Sequence, residues 1–203
     1  MLTILIPVTR DWAREAVCAA IGASDIPRGR VILVLDAPGC GEWTDSLLAL
    51  GFRVETHIRD RGVPCNDRLG RRIEHDEMRA YTIGIVPDGE LLILDDDTIV
   101  PTDVYARLSA IGPHATGIQR SRWGNALCGV YRDGHPLIMG SGVEDIDYCG
   151  HYCLLTTGEM YRETARHTPH QCFMQPIPGL KADWDCLCGH LTEEGVLWPT
   201  SAI

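Results

Sequence analysis

The chain has 203 residues, of which 45% are hydrophobic and 23% charged, a balance typical of a soluble globular protein with a large buried core. Its formal net charge of −10 argues against broad electrostatic binding to nucleic acid or anionic lipid, because affinity for a phosphate backbone comes chiefly from Lys and Arg. No segment approaches the roughly 18 apolar residues of a membrane span, and the N-terminal strand lacks the basic flank of a signal peptide. We therefore expect a cytoplasmic protein.

The N-terminal half alternates between apolar strands and amphipathic helices. Three strands are predicted, at 4–10, 31–39 and 52–58. Three helices are predicted after them, at 11–22, 43–50 and 66–85. Asp11 stands at the cap of the first helix, and Asn66 or Asp67 opens the third. This alternation predicts an open, mostly parallel sheet whose strand ends carry a ligand.

A fourth strand, at 91–94, runs directly into the consecutive acids Asp95, Asp96 and Asp97. Its four branched residues predict a strand buried on both faces. Folding adjacent acids against such a core is unfavourable without a compensating cation, because the charges repel one another and lose hydration. Hard oxygen donors select Mg²⁺ or Mn²⁺, which also bind water and substrate phosphates. The motif predicts a divalent metal site; a solvated acidic turn that caps the next helix is the alternative.

The C-terminal half is less regular. A short helix at 104–111, capped by Thr102 or Asp103, is expected to end at Gly112. Glycine-rich segments at 117–130 and 136–143 predict loops or edge strands, and a strand ending at 155 leads to a helix near Gly158. A last helix is predicted from apolar spacing, with Asp183 near its start; its apolar positions are Trp184, Leu187, Cys188 and Leu191.

Two side-chain clusters could bind ligands but have simpler explanations. The nine cysteines lack the spacing of a small disulfide framework, and the Cys- and His-rich C-terminal third lacks the C-x-x-C pair of a strong zinc site. We expect reduced, buried thiols, with structural zinc as the alternative. An arginine cluster could meet a diphosphate or an anionic acceptor, although a solvated helix face explains it more simply; its members are Arg59, Arg61, Arg68, Arg71, Arg72 and Arg79.

Three segments, ILIPVTR at 4–10, LDAPG at 35–39 and LLILDDDTIVP at 91–101, resemble the nucleotide-sugar-binding half of a family 2 glycosyltransferase of the GT-A fold. The resemblance covers most of the chain. It implies an α/β protein with a three-layer α/β/α fold and a mostly parallel central sheet, forming one GT-A domain over residues 1–203. Residues 1–101 would form the nucleotide-sugar-binding half and residues 102–203 the acceptor-binding half.

The resemblance also implies which residues hold the donor and the metal. In the family, an acidic motif written DxD binds the divalent ion and the ribose and diphosphate of the donor. This assigns Mn²⁺ or Mg²⁺ to Asp95 and Asp97, with Asp96 between them at the donor. The acid that closes the second strand contacts the nucleotide base, and here it is Asp36. The other residues assigned to the nucleoside-diphosphate sugar are Pro7, Thr9 and Arg79.

A later acidic motif at a helix start supplies the catalytic base in the family. The nearest match is residues 182–185, where Ala182 replaces the first acid. Asp183 is the expected base, kept ionised by the helix dipole, and Asp185 is the alternate; a simple N-cap is the other possible role of Asp183. Many GT-A enzymes use a late His as a metal ligand after the final strand, which this chain lacks after residue 197. Acceptor contacts are expected at Trp123, His151 and Tyr152.

Together these residues predict a metal-dependent, inverting glycosyltransferase that moves a sugar from a nucleoside diphosphate to an acceptor hydroxyl. The acceptor stays open among a small glycan, a small metabolite and a modified base in viral DNA. A nucleotidyltransferase is one alternative, although its usual glycine-rich phosphate loop is missing from residues 6–10. A catalytically inactive nucleotide-sugar-binding module is the other.

Overall fold

The computed structural model describes residues 1–35, 41–59, 68–120, 129–138, 140–166 and 176–199, with only the backbone described at 68–76 and 165–166. The first elements are β1 (Thr3–Val8), α1 (Arg14–Ala23), β2 (Arg30–Leu35), α2 (Glu42–Ala49), β3 (Arg53–Ile58), α3 (Arg68–Ile85), β4 (Glu90–Leu94) and β5 (Thr98–Ile99). They are followed by α4 (Val104–Ile111), β6 (Ala115–Gln119), β7 (Val130–Arg132), β8 (His135–Pro136), β9 (Val143–Asp145) and β10 (Tyr148–Cys149). The last are β11 (Cys153–Thr157), α5 (Gly158–Arg166), β12 (Lys181–Thr192) and β13 (Gly195–Leu197). None of the described helices is long and apolar enough to cross a bilayer.

One large sheet organises the described residues. Its ten strands follow the order β13-β12-β6-β11-β4-β1-β2-β3, with β5 and β9 paired to β12. Six strands run in one direction, and β11 lies antiparallel between β4 and β6; the six are β1, β2, β3, β4, β6 and β12. A smaller sheet contains β10, β7 and β8. Strands from both halves of the sequence therefore belong to the same large sheet.

Helices cover both faces of this sheet. One core lies between the sheet and α1, α2 and α4, and contains Ile4, Leu33 and Leu92. The other lies on the opposite face, beside α3 and α5, and contains Leu5 and Ile93. Residues 91–94 alternate between the two cores and are at most 1% exposed. The strand buried on both faces and the three-layer α/β/α fold with a mostly parallel central sheet are thus confirmed.

The predicted helices at 11–22, 43–50 and 104–111 are confirmed as α1, α2 and α4, but two of their caps are not. Asp11 makes no cap and instead pairs with Arg14, Oδ1 to Nη1, at 3.4 Å. The start of α4 is capped by Asp25, whose carboxylate accepts hydrogen bonds from the backbone N–H groups of Tyr105 and Ala106 at 2.8 and 2.7 Å. Asp25 follows α1 and is distant in sequence, so local pattern could not identify it.

The helix predicted to begin near Asp183 is wrong, because this segment is β12. Ala182, Trp184, Cys186 and Cys188 are buried, while Asp185 and Leu187 are exposed. This alternation has the period of two that defines a strand. The apolar residues at 184, 187, 188 and 191 fit a helix equally well, and the parallel pairing of β12 with β6 decides in favour of the strand.

A bulge in β12 changes which side chains of the strand face each of the two cores. Ala182 pairs with Thr116 and Leu187 with Ile118, so β12 advances five residues while β6 advances two. Ala182 lies in the core beside α3 and α5, whereas Cys186, beyond the bulge, lies in the core beside α1, α2 and α4. Bulges re-aim the side chains around them. The bulge therefore determines where the acids at 183 and 185 point.

Gly117 makes room for this bulge. It lies inside the buried strand β6, rather than in a loop or edge strand as the glycine content of 117–130 predicted. A Cβ atom at Gly117 would lie 2.8 Å from the carbonyl oxygen of Cys186 and 2.9 Å from the Sγ atom of Cys188. The bulged segment of β12 thus packs directly against the backbone of Gly117. A side chain at this position would collide with it.

The bulge brings Asp183 to α4, where Arg107 holds it. Nε and Nη2 of Arg107 donate to the two carboxylate oxygens at 2.9 and 3.1 Å, and the backbone N–H of Asp185 donates to one of them at 3.0 Å. Asp183 is 3% exposed, and its hydrogen bond and charge raise the pKa of Arg107. Without a helix start there is no dipole to act on Asp183, and both of its oxygens already have partners.

We predict that Asp183→Asn lowers the free energy of unfolding by about 1 to 3 kcal/mol, because Arg107 loses its charge-assisted bonds. Asp185→Asn is the matched control: its side chain is 71% exposed, so we expect a change within about 0.5 kcal/mol. Urea unfolding measures both. Equal stability of the two variants would contradict a structural role for Asp183 and revive its assignment as the base.

Candidate active site

The reversal point of the sheet lies between β1 and β4. From β1 the chain pairs successive strands in one direction, to β2 and β3, while β4 pairs with the other side of β1. In such sheets, ligands bind in the crevice outside the carboxyl ends of the strands at this point. Here the crevice is bordered by Thr9 and Arg10, which follow β1, and by the acids that follow β4. Pro7 lies just before them, within β1 and opposite Val34.

The backbone of the acidic segment is fixed by its neighbours. The N–H of Thr98 donates to the carbonyl of Asp95 at 3.2 Å, closing a tight turn over Asp96 and Asp97. The N–H of Asp95 donates to the carbonyl of Tyr152 at 3.2 Å, and the N–H of Leu191 donates to the carbonyl of Asp97 at 2.8 Å. The segment is therefore held on one side by the residue before β11 and on the other by β12.

Asp96 is used by the protein itself. It is 2% exposed, and its Oδ2 atom accepts hydrogen bonds from the N–H and hydroxyl of Thr9, at 2.6 and 3.1 Å, and from the N–H of Arg10 at 2.8 Å. Its Oδ1 atom pairs with the Arg10 guanidinium. These contacts tie the end of β1 to the end of β4. They do not fit the expected donor contact of Asp96, because both oxygens are already engaged.

Asp97 lies between the side chains of Arg10 and His190. Its Oδ2 atom is 3.0 Å from Nη1 of Arg10 and 3.3 Å from Nε2 of His190. His190 belongs to β12, opposite Thr98 of β5, and its Nδ1 atom is 2.8 Å from the carbonyl oxygen of Arg120. A carbonyl oxygen only accepts, so Nδ1 donates to Arg120, and Nε2 is the ring nitrogen that faces Asp97.

Sequence reasoning missed His190 because it sought the late His after the last strand. The residue instead lies within a strand that was taken for a helix. The signal that could have found it is the alternation of apolar and acidic residues at 182–186, which is typical of a strand and would place His190 further along the same strand. The sequence does not reveal that β12 pairs with β5, because this contact joins segments that are far apart in the chain.

Asp95 differs from Asp96 and Asp97 in that its carboxylate accepts no hydrogen bond from any described residue. The residue is partly exposed. The loss of hydration beneath the surrounding protein, and then the negative charges of Asp97 and Asp96, raise the pKa of Asp95 to about 7. A cation placed here would be stabilised by a carboxylate whose negative charge Arg10 and His190 offset only in part.

Asp97, His190 and Asp95 fit a divalent cation in their chemistry. Adjacent ligands of an octahedral Mg²⁺ lie about 3 Å apart, given metal–oxygen distances of about 2.1 Å, and the Asp97–His190 separation of 3.3 Å is close to this. The bond from His190 Nδ1 to a carbonyl is the outer-shell contact usual for a metal-bound imidazole. Among the described residues no three His, Cys, Asp or Glu side chains converge into a ready-made cage. A site with few protein ligands leaves coordination positions for water and phosphate.

Arg79 and His151 lie on the α3 and α5 side of the acids, around Tyr161. Arg79 is 8% exposed, and its charge acts on the Tyr161 hydroxyl, as does that of Asp95. The half-buried ring of His151 meets the ring of Tyr161 edge-on, with centroids 5.8 Å apart. Both residues therefore lie close to Tyr161. Asp36 and Trp123 lie outside the described residues.

Tyr152 does not fit the predicted acceptor contact. It is 4% exposed, and its hydroxyl donates to the carbonyl of Gly117 at 3.0 Å. Trp198, by contrast, is 46% exposed and lies against Gly189 of β12. A Cβ atom on Gly189 would lie 3.2 Å from the Trp198 ring and 2.5 Å from Val196. Glycine at this position lets the apolar side chains of the β13 segment lie flat against β12.

The described cysteines are buried free thiols, as predicted: Cys18, Cys149, Cys153, Cys186 and Cys188. Burial raises the pKa of Cys149 to about 12, which keeps its thiol protonated and unsuited to metal binding or nucleophilic chemistry. The zinc alternative also involved His167, His170 and Cys172, which lie outside the described residues. Of the arginine cluster, Arg59 lies 5.3 Å over the ring of Tyr81, a contact that favours the structural explanation for this residue.

No protein-family model and no curated protein sequence matches the chain. Solved structures do match. Residues 1–349 of S. aureus TarS, a GT-A-like glycosyltransferase, align with a TM-score of 0.55 and 9% identity over 84% of this chain and 50% of that one. The same protein in complex with UDP gives 0.54 and 7% identity over 83% and 50%. The chain thus spans about half the length of this TarS fragment.

A nucleoside-diphosphate-sugar pyrophosphorylase from Vibrio cholerae aligns with a TM-score of 0.51 and 12% identity over 98% of this chain and 95% of that one. Identities this low establish the fold alone. The chain therefore has the GT-A type of nucleotide-diphospho-sugar transferase fold.

Proposed function

We propose that the chain is a metal-dependent glycosyltransferase that moves a sugar from a nucleoside diphosphate to an acceptor hydroxyl. The observation that carries the proposal is the pairing of Asp97 with His190 at 3.3 Å. Asp97 follows β4 at the reversal point of the sheet, where a donor diphosphate would complete the coordination of a cation. The fold shared with TarS supports the same class of substrate.

The roles of the residues follow from their contacts. Asp97 and His190 would hold Mn²⁺ or Mg²⁺, with Asp95 adding a second carboxylate. The bound ion would neutralise negative charge that develops on the leaving diphosphate. Asp96 keeps the β1 loop in place through Thr9, and Arg79 lies on the side of Asp95 away from α4. Asp36 stays a proposed contact of the nucleotide base.

The stereochemical course depends on a base that remains to be assigned. The expectation of inversion rested on Asp183, which the ion pair with Arg107 already engages at 2.9 and 3.1 Å. Asp185 has an exposed side chain and is the remaining carboxylate of that motif. On the acceptor side, we propose His151 and Trp123, since a tryptophan face can pack on a sugar or a base.

A nucleotidyltransferase is the second candidate. The specific observation in its favour is the alignment with the Vibrio cholerae pyrophosphorylase, which spans 95% of that chain. Against it, residues 6–10 contain no glycine, whereas a phosphate loop needs close backbone approach. The products separate the two: a transferase releases a nucleoside diphosphate, and a nucleotidyltransferase forms or consumes pyrophosphate.

A panel of nucleotide sugars, tested by thermal shift with and without Mn²⁺, tests the proposal. A cognate donor at 100 times its dissociation constant should stabilise the fold by about 2.7 kcal/mol, and this should require the metal. Slow release of nucleoside diphosphate from the same donor would distinguish a transferase from an inactive binding module. A panel in which no nucleotide sugar shifts the melting temperature would contradict the proposal.

Asp95→Asn and Asp97→Asn should both abolish the Mn²⁺-dependent stabilisation by donor, yet differ in metal-free protein. Asp95 has no described partner to lose, so relief of repulsion should keep or raise stability. Asp97 loses its contacts with Arg10 and His190, so we expect a loss of about 1 kcal/mol. Melting curves in EDTA and in Mn²⁺ with donor measure both effects. Donor binding that persists in both variants would remove these acids from the site.

His190 can be tested with two substitutions that keep different halves of the imidazole. Asn places an amide donor near the position of Nδ1 and can keep the bond to the Arg120 carbonyl, but it lacks Nε2. Gln extends to the position of Nε2 and supplies a weak oxygen ligand. We expect Mn²⁺ affinity to fall at least tenfold in His190→Asn and less in His190→Gln, measured by titration calorimetry. If both variants bind Mn²⁺ as tightly as wild type does, His190 is not a metal ligand.

A further inference from the structure

Arg10 occupies the position that a cation would take between two of the acids. Its Nη1 atom contacts Oδ1 of Asp96 and lies 3.0 Å from Oδ2 of Asp97. The Asp96, Asp97 and Asp95 carboxylates raise the pKa of Arg10, outweighing the opposing effect of burial. The guanidinium therefore compensates part of the acidic charge within the protein itself.

The contact with Asp97 uses the same oxygen that faces His190. Oδ2 of Asp97 is 3.0 Å from Arg10 Nη1 and 3.3 Å from His190 Nε2. A divalent ion bound by this oxygen and by Nε2 would lie next to the guanidinium. Two cations at that separation repel each other strongly where solvent is largely excluded. The two states of Asp97, bound to Arg10 or bound to a metal, are therefore in competition.

The contact with Asp96 would survive such a displacement. The backbone N–H of Arg10 donates to Oδ2 of Asp96 at 2.8 Å, independently of the side chain. Thr9 adds two further bonds to the same oxygen, at 2.6 and 3.1 Å. The loop thus stays in place when the guanidinium leaves Asp97.

The Arg10 guanidinium also has N–H groups that no described residue accepts. Its Nε and Nη2 groups donate to none of the described residues, and the side chain is 26% exposed. A planar guanidinium with unused donors is well suited to bind phosphate oxygens in pairs. If Arg10 loses its contact with Asp97, its guanidinium can bind a phosphate group at the same place.

We propose that Arg10 is a resident counter-cation, which a divalent ion displaces from Asp97 and which then binds the diphosphate of the ligand while Asp96 holds it at the site. The inference rests on the proposed function for its metal and its anion. It predicts opposite effects of one substitution: loss of Arg10 should favour the metal and weaken binding of the anion.

The test compares Arg10→Gln with wild type in two binding measurements. Mn²⁺ binding alone is followed by the electron paramagnetic resonance signal of the free ion, and pyrophosphate binding by thermal shift in saturating Mg²⁺. We expect Arg10→Gln to bind Mn²⁺ at least fivefold more tightly and pyrophosphate at least tenfold more weakly. Arg10→Lys keeps the charge and should leave Mn²⁺ affinity within twofold of wild type.

Arg14→Gln is the matched control. Arg14 pairs with Asp11 at 3.4 Å and with Glu42, so removing its charge should change neither affinity by more than twofold. If wild type binds Mn²⁺ and Arg10→Gln binds it no more tightly, the inference is overturned while the proposed function stands. If neither protein binds Mn²⁺, the metal dependence in the proposed function fails together with the inference. Binding of Mn²⁺ by Arg10→Gln alone would support the displacement directly.

Discussion

The hydrogen bonds of Asp96 to the β1 loop are the interaction on which the site depends. A buried carboxylate is unfavourable unless its oxygens are satisfied, and here two backbone N–H groups, a hydroxyl and a guanidinium satisfy them. These bonds cross from the end of β4 to the end of β1, the two strands that border the crevice. One residue of the acidic run thus acts as a structural tie, which leaves the acids on either side to meet a ligand.

The bulge in β12 is the second constraint. Before the bulge, Asp183 pairs with Arg107 of α4; beyond it, the strand ends with His190 beside Asp97. A regular strand would pair residues of β6 and β12 one to one, whereas here β12 advances five residues, from Ala182 to Leu187, while β6 advances two. Gly117 makes the irregular pairing possible because its backbone carries no side chain. Residues of β6 therefore help to set the position of His190.

Much of the fold was accessible from sequence because its signals are local. The apolar run at 91–94 and the alternation at 53–58 depend on neighbouring residues, and both strands form as predicted. The β12 segment failed because its spacing satisfies two periods, and only pairing with β6 distinguishes them. Asp25 at the start of α4, Asp96 at Thr9 and His190 at Asp97 are contacts between segments far apart in sequence. The acids could be identified as a group from their order in the chain, but the partner of each one could not.

The backbone bonds that hold the acidic turn have a consequence for ion size. Carbonyl and N–H groups of Asp95, Asp97 and Thr98 are bonded within the turn, to the residue before β11 and to β12, so Asp97 has little freedom to move outward. Ca²⁺ takes six to eight oxygen ligands at about 2.3 to 2.6 Å, whereas Mg²⁺ needs fewer and shorter contacts. A larger ion would require the turn to widen against these bonds. At the proposed metal site, the hydrogen-bonded turn would therefore disfavour calcium by geometry.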